Sequence, residues 1–288
     1  MKKAWRFVRG VSRGLRVGTF FPADSAAPAA QAPGGSEERP LPPRQGADLP
    51  GGLVLSRHRL ALPGLTRPLC LLQLSDVHLR GPAPWLPHLL DRVSERRPDL
   101  VLLTGDILTR GWQEPVVAAF LDALPAAPLG RFAVMGNWEH WSDAPPERWG
   151  PLLAKHDVRL LREEVVELPG LRLAGTDDLL AGITDPIALR QRLPPGPPTV
   201  VLSHSPAILP ALAGPGVDLV LSGHAHGGQL RLPGLGALWV PRGTGAQVAG
   251  WYLQDNTHQF VSRGVGWSIA PLRFRCPPEL VELLLSPA

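Results

Sequence analysis

At 288 residues, with 34 Pro, 31 Gly and a formal net charge of +4, the chain is long enough for one large domain or two small ones and for a full apolar core. Only two cysteines occur, Cys70 and Cys276, which excludes a disulfide framework and a thiolate zinc site. The positive excess is confined to the first residues, which excludes a nucleic-acid-binding face over the whole chain; no apolar run approaches the ~20 residues of a membrane span.

Residues 1–21 carry Lys2, Lys3, Arg6, Arg9, Arg13 and Arg16 before the first acid, Asp24. Ala4, Val8, Val11 and Leu15 keep a helical spacing, with the arginines largely off that stripe. The segment reads as a basic amphipathic helix on an anionic membrane, as an unstructured basic tail, or as a stretch read from a start codon upstream of the real one. It lacks the apolar stretch of a secretory signal, so the expected location is the cytoplasm, with peripheral contact to the inner membrane only if residues 1–21 form that helix. Residues 22–50, rich in Pro, Ala, Gly and charge, read as an unstructured linker.

From residue 51 to 288 the pattern is that of a single α/β domain. Continuous apolar runs at 69–74, 100–103, 131–135, 199–202 and 219–221 predict strands buried on both faces. Helical periods fall at 84–96, 113–124, 145–156, 185–192 and 206–213, so the sheet should be parallel or mixed. Shorter strands are predicted at 53–60, 158–167, 171–175, 237–240, 248–254, 257–262 and 280–285. Cys70, inside an apolar run, reads as a small buried hydrophobe.

Each buried run ends on chemistry. Leu74 leads into Asp76-Val77-His78, Leu103 into Gly105-Asp106, and Met135 into Gly136-Asn137-Trp138-Glu139-His140. Leu202 leads into His204, and Leu221 into Gly223-His224-Ala225-His226-Gly227-Gly228-Gln229. Carboxyl ends of strands in α/β sheets converge on the ligand crevice, so five of them would deliver Asp76, His78, Asp106, Asn137, His204, His224 and His226 to one place. Imidazole nitrogens with carboxylate and amide oxygens suit catalytic Zn, Mn or Fe. Seven ligands exceed one tetrahedral ion and suit two divalent ions about 3.5–4 Å apart, which lower the pKa of a bridging water and orient a phosphate ester. Each motif alone has a bland reading as a turn, cap or structural histidine; the Gly-His-x-His-Gly-Gly turn and the common strand-end placement argue against it. His58, His88, His156 and His258 lie outside any motif and read as ordinary residues.

The series resembles the calcineurin-like metallophosphoesterases over nearly all of residues 51–288. The Gly-His-Ala-His-Gly-Gly-Gln turn is similar to that of the bacterial branch that includes YkuE and YaeI, as is the ending Phe260-Val261-Ser262-Arg263-Gly264-Val265-Gly266 with Pro271 to Glu279. The resemblance implies a β-sandwich core flanked by helices. It implies one metal on Asp76, His78, Asp106 and His226, and another on Asp106, Asn137, His204 and His224, bridged by Asp106. It further implies hydrolysis of a phosphodiester or pyrophosphate, with Asp106 and Asn137 in the catalytic set. UDP-diacylglucosamine is one lipid-linked candidate substrate.

One position departs from that pattern: Trp138 stands where the family has the histidine that protonates the leaving group. Either His140 substitutes as the acid, or the substrate has a good leaving group, or Trp138 contributes to substrate binding by stacking on a base or covering an acyl chain. Trp138, Trp141 and Trp149 are candidates for an apolar groove, with core packing the alternative. The competing functional reading is a metal-binding protein with little catalysis. No Gly-x-Ser-x-Gly elbow supports a serine hydrolase.

Overall fold

A computed structural model describes residues 33–42, 48–109, 111–268 and 270–288. The basic segment 1–21 and much of the linker therefore lie outside the described residues.

The chain begins with β1 (Ser36–Leu41), β2 (Leu53–Leu62) and β3 (Leu69–Leu74), followed by α1 (Leu86–Ser94), β4 (Leu100–Thr104), α2 (Glu114–Asp122) and β5 (Arg131–Val134). Next come α3 (Asn137–Trp141), α4 (Pro146–Lys155), β6 (Val158–Leu160), β7 (Glu164–Leu168), β8 (Leu171–Gly175), α5 (Pro186–Gln191) and β9 (Thr199–Leu202). The chain continues through α6 (Leu209–Leu212), β10 (Leu219–Ser222), β11 (Arg231–Leu232), β12 (Gly236–Ala237), β13 (Gly250–Gln254), β14 (Thr257–Val261) and β15 (Glu279–Pro287).

Two sheets stack face to face. The first has the order β1-β2-β15-β3-β4-β5-β6 and the second β13-β14-β10-β9-β8-β7. Strand alternation explains the layers, because successive side chains point to opposite faces. Leu71, Leu100 and Leu102 meet Leu173, Val200, Leu202 and Leu221 between the sheets. Their neighbours Leu72, Leu74, Val101 and Leu103 face outward and are covered by Leu89, Val93, Phe120, Trp149 and Leu153 of α1, α2 and α4. On the far side Val201 and Val220 pack under Leu189, Leu209 and Leu212 of α5 and α6. This is the helix-flanked β-sandwich that the resemblance implied.

β3, β4 and β5 run parallel, as do β8, β9 and β10. Their carboxyl ends therefore open on one edge of the sandwich.

Three expectations need correction. The run 158–167 is two strands in different sheets, because the chain turns at Glu163 (φ 55°) and crosses from β6 to β7. Part of the linker, Ser36–Leu41, is an edge strand antiparallel to β2; only Leu41 of its side chains is buried, and an edge tolerates Pro40. Cys70 is half-buried rather than buried, and both cysteines are free thiols.

Candidate metal centre

The loops after β3 and β4 continue to pair beyond the strands. Asp76 N–H donates to Gly105 O (3.0 Å) and His78 N–H to Asp106 O (3.0 Å). Asp76, His78, Asp106, His224 and His226 all hold φ between 51° and 67°, a region that non-glycine residues enter at a cost of about 1–3 kcal/mol each. Such strain collects where a fold over-determines a site, and here it aims five side chains inward. Gly223 makes the close approach possible: a Cβ there would lie 1.8 Å from Ser75 Oγ and 2.3 Å from Asp76 Oδ2.

The side chains fall into two groups, Asp76-His78-His226 and Asp106-His204-His224, each with its ligand atoms within 4.8 Å of one another. In the first, His226 Nε2 lies 3.3 Å from Asp76 Oδ1 and 2.9 Å from His78 Nε2. In the second, His204 Nε2 lies 3.1 Å from Asp106 Oδ2 and 3.2 Å from His224 Nδ1. Asp106 Oδ2 is also 3.7 Å from His78 Nε2, so it stands between the groups. Asn137 Oδ1 is buried with no hydrogen-bond partner among the described residues. A buried amide oxygen left unpaired is costly, and a cation would satisfy it.

The far nitrogens are held. His204 Nδ1 donates to Thr104 O at 2.8 Å and His224 Nε2 to Arg242 O at 2.6 Å, which turns the lone pairs of His204 Nε2 and His224 Nδ1 inward. His78 Nδ1 meets the Thr109 hydroxyl. Burial pushes His78 and His226 well below 6.5 and His224 down to about 3, keeping these imidazoles neutral, as metal ligation requires. Burial pushes the Asp106 carboxyl up to about 7. Burial also opposes protonation of His204, but the Asp106 carboxylate overrides it and raises that imidazole well above 6.5. A proton shared within the Asp106–His204 pair is what a cation would displace.

Residues 71–228 match the family described as calcineurin-like phosphoesterase. The phosphodiesterase YaeI of Escherichia coli is 34% identical over 250 residues, covering 82% of this chain and 89% of that one. The chain belongs to the calcineurin-like phosphoesterases. The metallophosphoesterase YkuE of Bacillus subtilis is 29% identical over 224 residues (75% and 78% of the two chains). The solved structure of a dimetal phosphatase from Danio rerio aligns with a TM-score of 0.41 at 11% identity, covering 68% of this chain and 87% of that one.

As a calcineurin-like phosphoesterase of the YkuE and YaeI branch, the protein is a metal-dependent hydrolase of phosphate esters with a donor set suited to two divalent ions. The non-catalytic alternative is set aside. No helix among the described residues is long and apolar enough to cross a membrane.

Of the remaining expected residues, Trp138 lies at the centre: its N–H donates to Asp106 Oδ1 (2.8 Å) and its indole meets the His78 ring edge-on at 6.1 Å. Trp141 stacks edge-on against Trp138 and is exposed, whereas Trp149 is wholly buried beneath the helices and lines no groove. His140 is turned to Asp177, with Nε2 to Oδ1 at 2.8 Å, and Arg162 holds the other Asp177 oxygen at 2.7 Å.

Sequence reasoning missed three supports. Glu139 accepts the N–H groups of Asp106, Ile107 and Gly136 at 2.9, 2.7 and 2.7 Å. Asp177 and Asp178 follow β8, another apolar run ending on acids, and the strand-end rule applied there would have found them. Arg273, buried, donates to the carbonyls of Arg263, Gly264 and Gly266, in the loop packed under Asp76.

Proposed function

We propose that Asp76, His78, Asp106 and His226 hold one divalent ion, that Asp106, Asn137, His204 and His224 hold the other, and that the enzyme cleaves a phosphodiester or pyrophosphate bond. The observation that carries this reading is the Asp106 Oδ2 atom, 3.1 Å from His204 Nε2 and 3.7 Å from His78 Nε2. The donor set admits Mn, Fe or Zn, and supply in the cell selects among them. When bound, such a pair supplies Lewis acidity and an acidified water.

The chain's own residues do the rest. Thr104 O and Arg242 O orient the imidazoles of His204 and His224, and Glu139 fixes the Asp106 and Asn137 loops in register. Trp138 presents its indole beside His78, where a histidine acid would stand in relatives, and offers a face to an apolar or planar part of the substrate. No acid at that position favours a substrate with a good leaving group, as in a nucleotide-linked pyrophosphate. A lipid-linked nucleotide such as UDP-diacylglucosamine combines that leaving group with acyl chains that Trp138 and Trp141 could cover.

A metal-reconstituted activity screen tests this across phosphomonoesters, phosphodiesters, UDP-linked lipids and phospholipids. Diesters or lipid-linked pyrophosphates should be turned over best. Preference for soluble phosphomonoesters would overturn the substrate reading.

A further inference from the structure

The turn Leu232-Pro233-Gly234-Leu235 is tightly specified, with Pro at its second position, Gly234 at φ 77°, and Leu235 N–H donating to Leu232 O at 3.2 Å. It joins β11 to β12 and presents two leucines to solvent, Leu235 being 57% exposed. Beside it runs the segment with Leu272 and Phe274, 56% and 50% exposed. The two segments are bonded together: Phe274 N–H donates to Gln229 O and Arg231 N–H to Phe274 O, while the Gln229 amide donates to Ala270 O and Leu272 O. Core packing does not require these four side chains, and exposed apolar groups gathered on a rigid rim mark a contact surface.

The charge around the rim is one-sided. The segments 231–242 and 270–278 hold Arg231, Arg242, Arg273 and Arg275 and no acid; of these Arg273 is buried, and the nearby Arg263 is paired with Glu38 and Glu279. Arg242 and Arg275 are exposed and form no ion pair among the described residues. The rim also adjoins the metal centre, since Arg242 O accepts from His224 Nε2 and Gln229 is three residues past His226.

Apolar side chains in rigid turns, interleaved with unpaired arginines and few acids, complement an anionic bilayer surface, where leucine and phenylalanine enter the headgroup region and arginine meets phosphate. We propose that the rim formed by Leu232, Leu235, Leu272 and Phe274, with Arg242 and Arg275, docks the enzyme on an anionic lipid surface and turns the metal centre toward it. The proposal rests on the lipid-linked substrate reading for its purpose, while the docking is measurable by itself.

The test is co-sedimentation of the full chain with vesicles of phosphatidylglycerol and phosphatidylcholine, against vesicles of phosphatidylcholine alone. The unmodified protein should pellet with the anionic vesicles. The pair Leu235→Asp and Phe274→Asp should weaken binding by more than about tenfold, and Arg242→Gln with Arg275→Gln by on the order of tenfold together with a flatter salt dependence. The aspartate pair should keep hydrolysis of soluble bis-p-nitrophenyl phosphate, which reports an intact fold; if it does not, Leu235→Ser with Phe274→Ser replaces it, and Arg275→Gln alone, which leaves the Arg242 carbonyl at His224 untouched, serves as the arginine variant in that control. Neutralising the basic residues of 1–21 should leave binding in place. No binding by the unmodified protein, undiminished binding by the rim variants, or binding abolished by the 1–21 change alone would each overturn the proposal. Vesicle binding without cleavage of lipid-linked pyrophosphates would instead remove the substrate reading and leave the docking intact.

Discussion

Glu139 Oε2 accepts the backbone N–H of Asp106 at 2.9 Å, tying the third sequence motif to the second through a wholly buried carboxylate. The same carboxylate takes Ile107, Leu108 and Gly136, so four backbone donors depend on it. Glu139→Gln puts an amide NH₂ against those donors and leaves buried groups unpaired. We expect a loss of about 1–3 kcal/mol of stability, and metal affinity lower by roughly 10–100-fold, as for other groups that orient a site. Denaturation and metal titration of the variant check this; unchanged metal affinity would show that Glu139 does not hold the site.

His140 and Asp177 form a pair with a defined pH window. Burial opposes the charge on Asp177, but His140, the Ile183 N–H and Arg162 hold its carboxyl down at about 2, against an ordinary 3.8. Burial likewise opposes protonation of His140, which Asp177 outweighs, raising it above 6.5. A lowered carboxylate stabilises above 3.8 and loses this as pH falls through its folded value. A raised imidazole stabilises below 6.5 and loses this as pH rises through its folded value. The pair is thus at full strength between those two ordinary values. His140→Gln should cost about 1–3 kcal/mol near pH 5.5 and distinctly less near pH 9, by chemical denaturation at both. Equal costs would contradict the pairing.

The engagement of His140 Nε2 with Asp177 also bears on catalysis. His140→Gln should slow hydrolysis of a substrate with a poor leaving group by less than about tenfold, well short of the 10²–10⁴-fold expected of a general acid. A loss in that larger range, growing as the leaving group worsens, would make His140 the acid.

Much of the candidate site was legible because its residues obey one rule: the candidate ligands follow apolar runs. Asp76, Asp106, Asn137, His204 and His224 all sit just past strands found from their hydrophobicity. The sheet assignment was not legible. β6 and β7 form one polar-apolar stretch in the sequence, and only the turn at Glu163 separates them into two sheets. β1 hid in a Pro- and charge-rich stretch because an edge strand with five exposed side chains needs no apolar pattern. Arg273 acts on the centre through the carbonyls of Arg263 and Gly264 and stands 3.4 Å from His226 Nδ1, contacts that the apolar pattern does not encode.

Gly264 gives a prediction from that same loop. It holds φ 69°, and a Cβ there would lie 2.6 Å from Asp76 Cβ. Gly264→Ala must displace either the loop or Asp76, so the Asp76-His78-His226 group should lose metal before the Asp106-His204-His224 group. Metal content per chain at limiting metal should fall by about half, in keeping with loss of one of two sites. Full content in a folded variant would contradict the close packing of this loop against Asp76.

The bridging position proposed for Asp106 is tested most directly by counting metal. Elemental analysis of protein reconstituted with manganese should give about two ions per chain, and Asp106→Ala should abolish manganese-dependent hydrolysis of bis-p-nitrophenyl phosphate while lowering occupancy of both sites. One ion per chain in the unmodified protein, or an Asp106→Ala protein that keeps its activity, would contradict the two-metal centre.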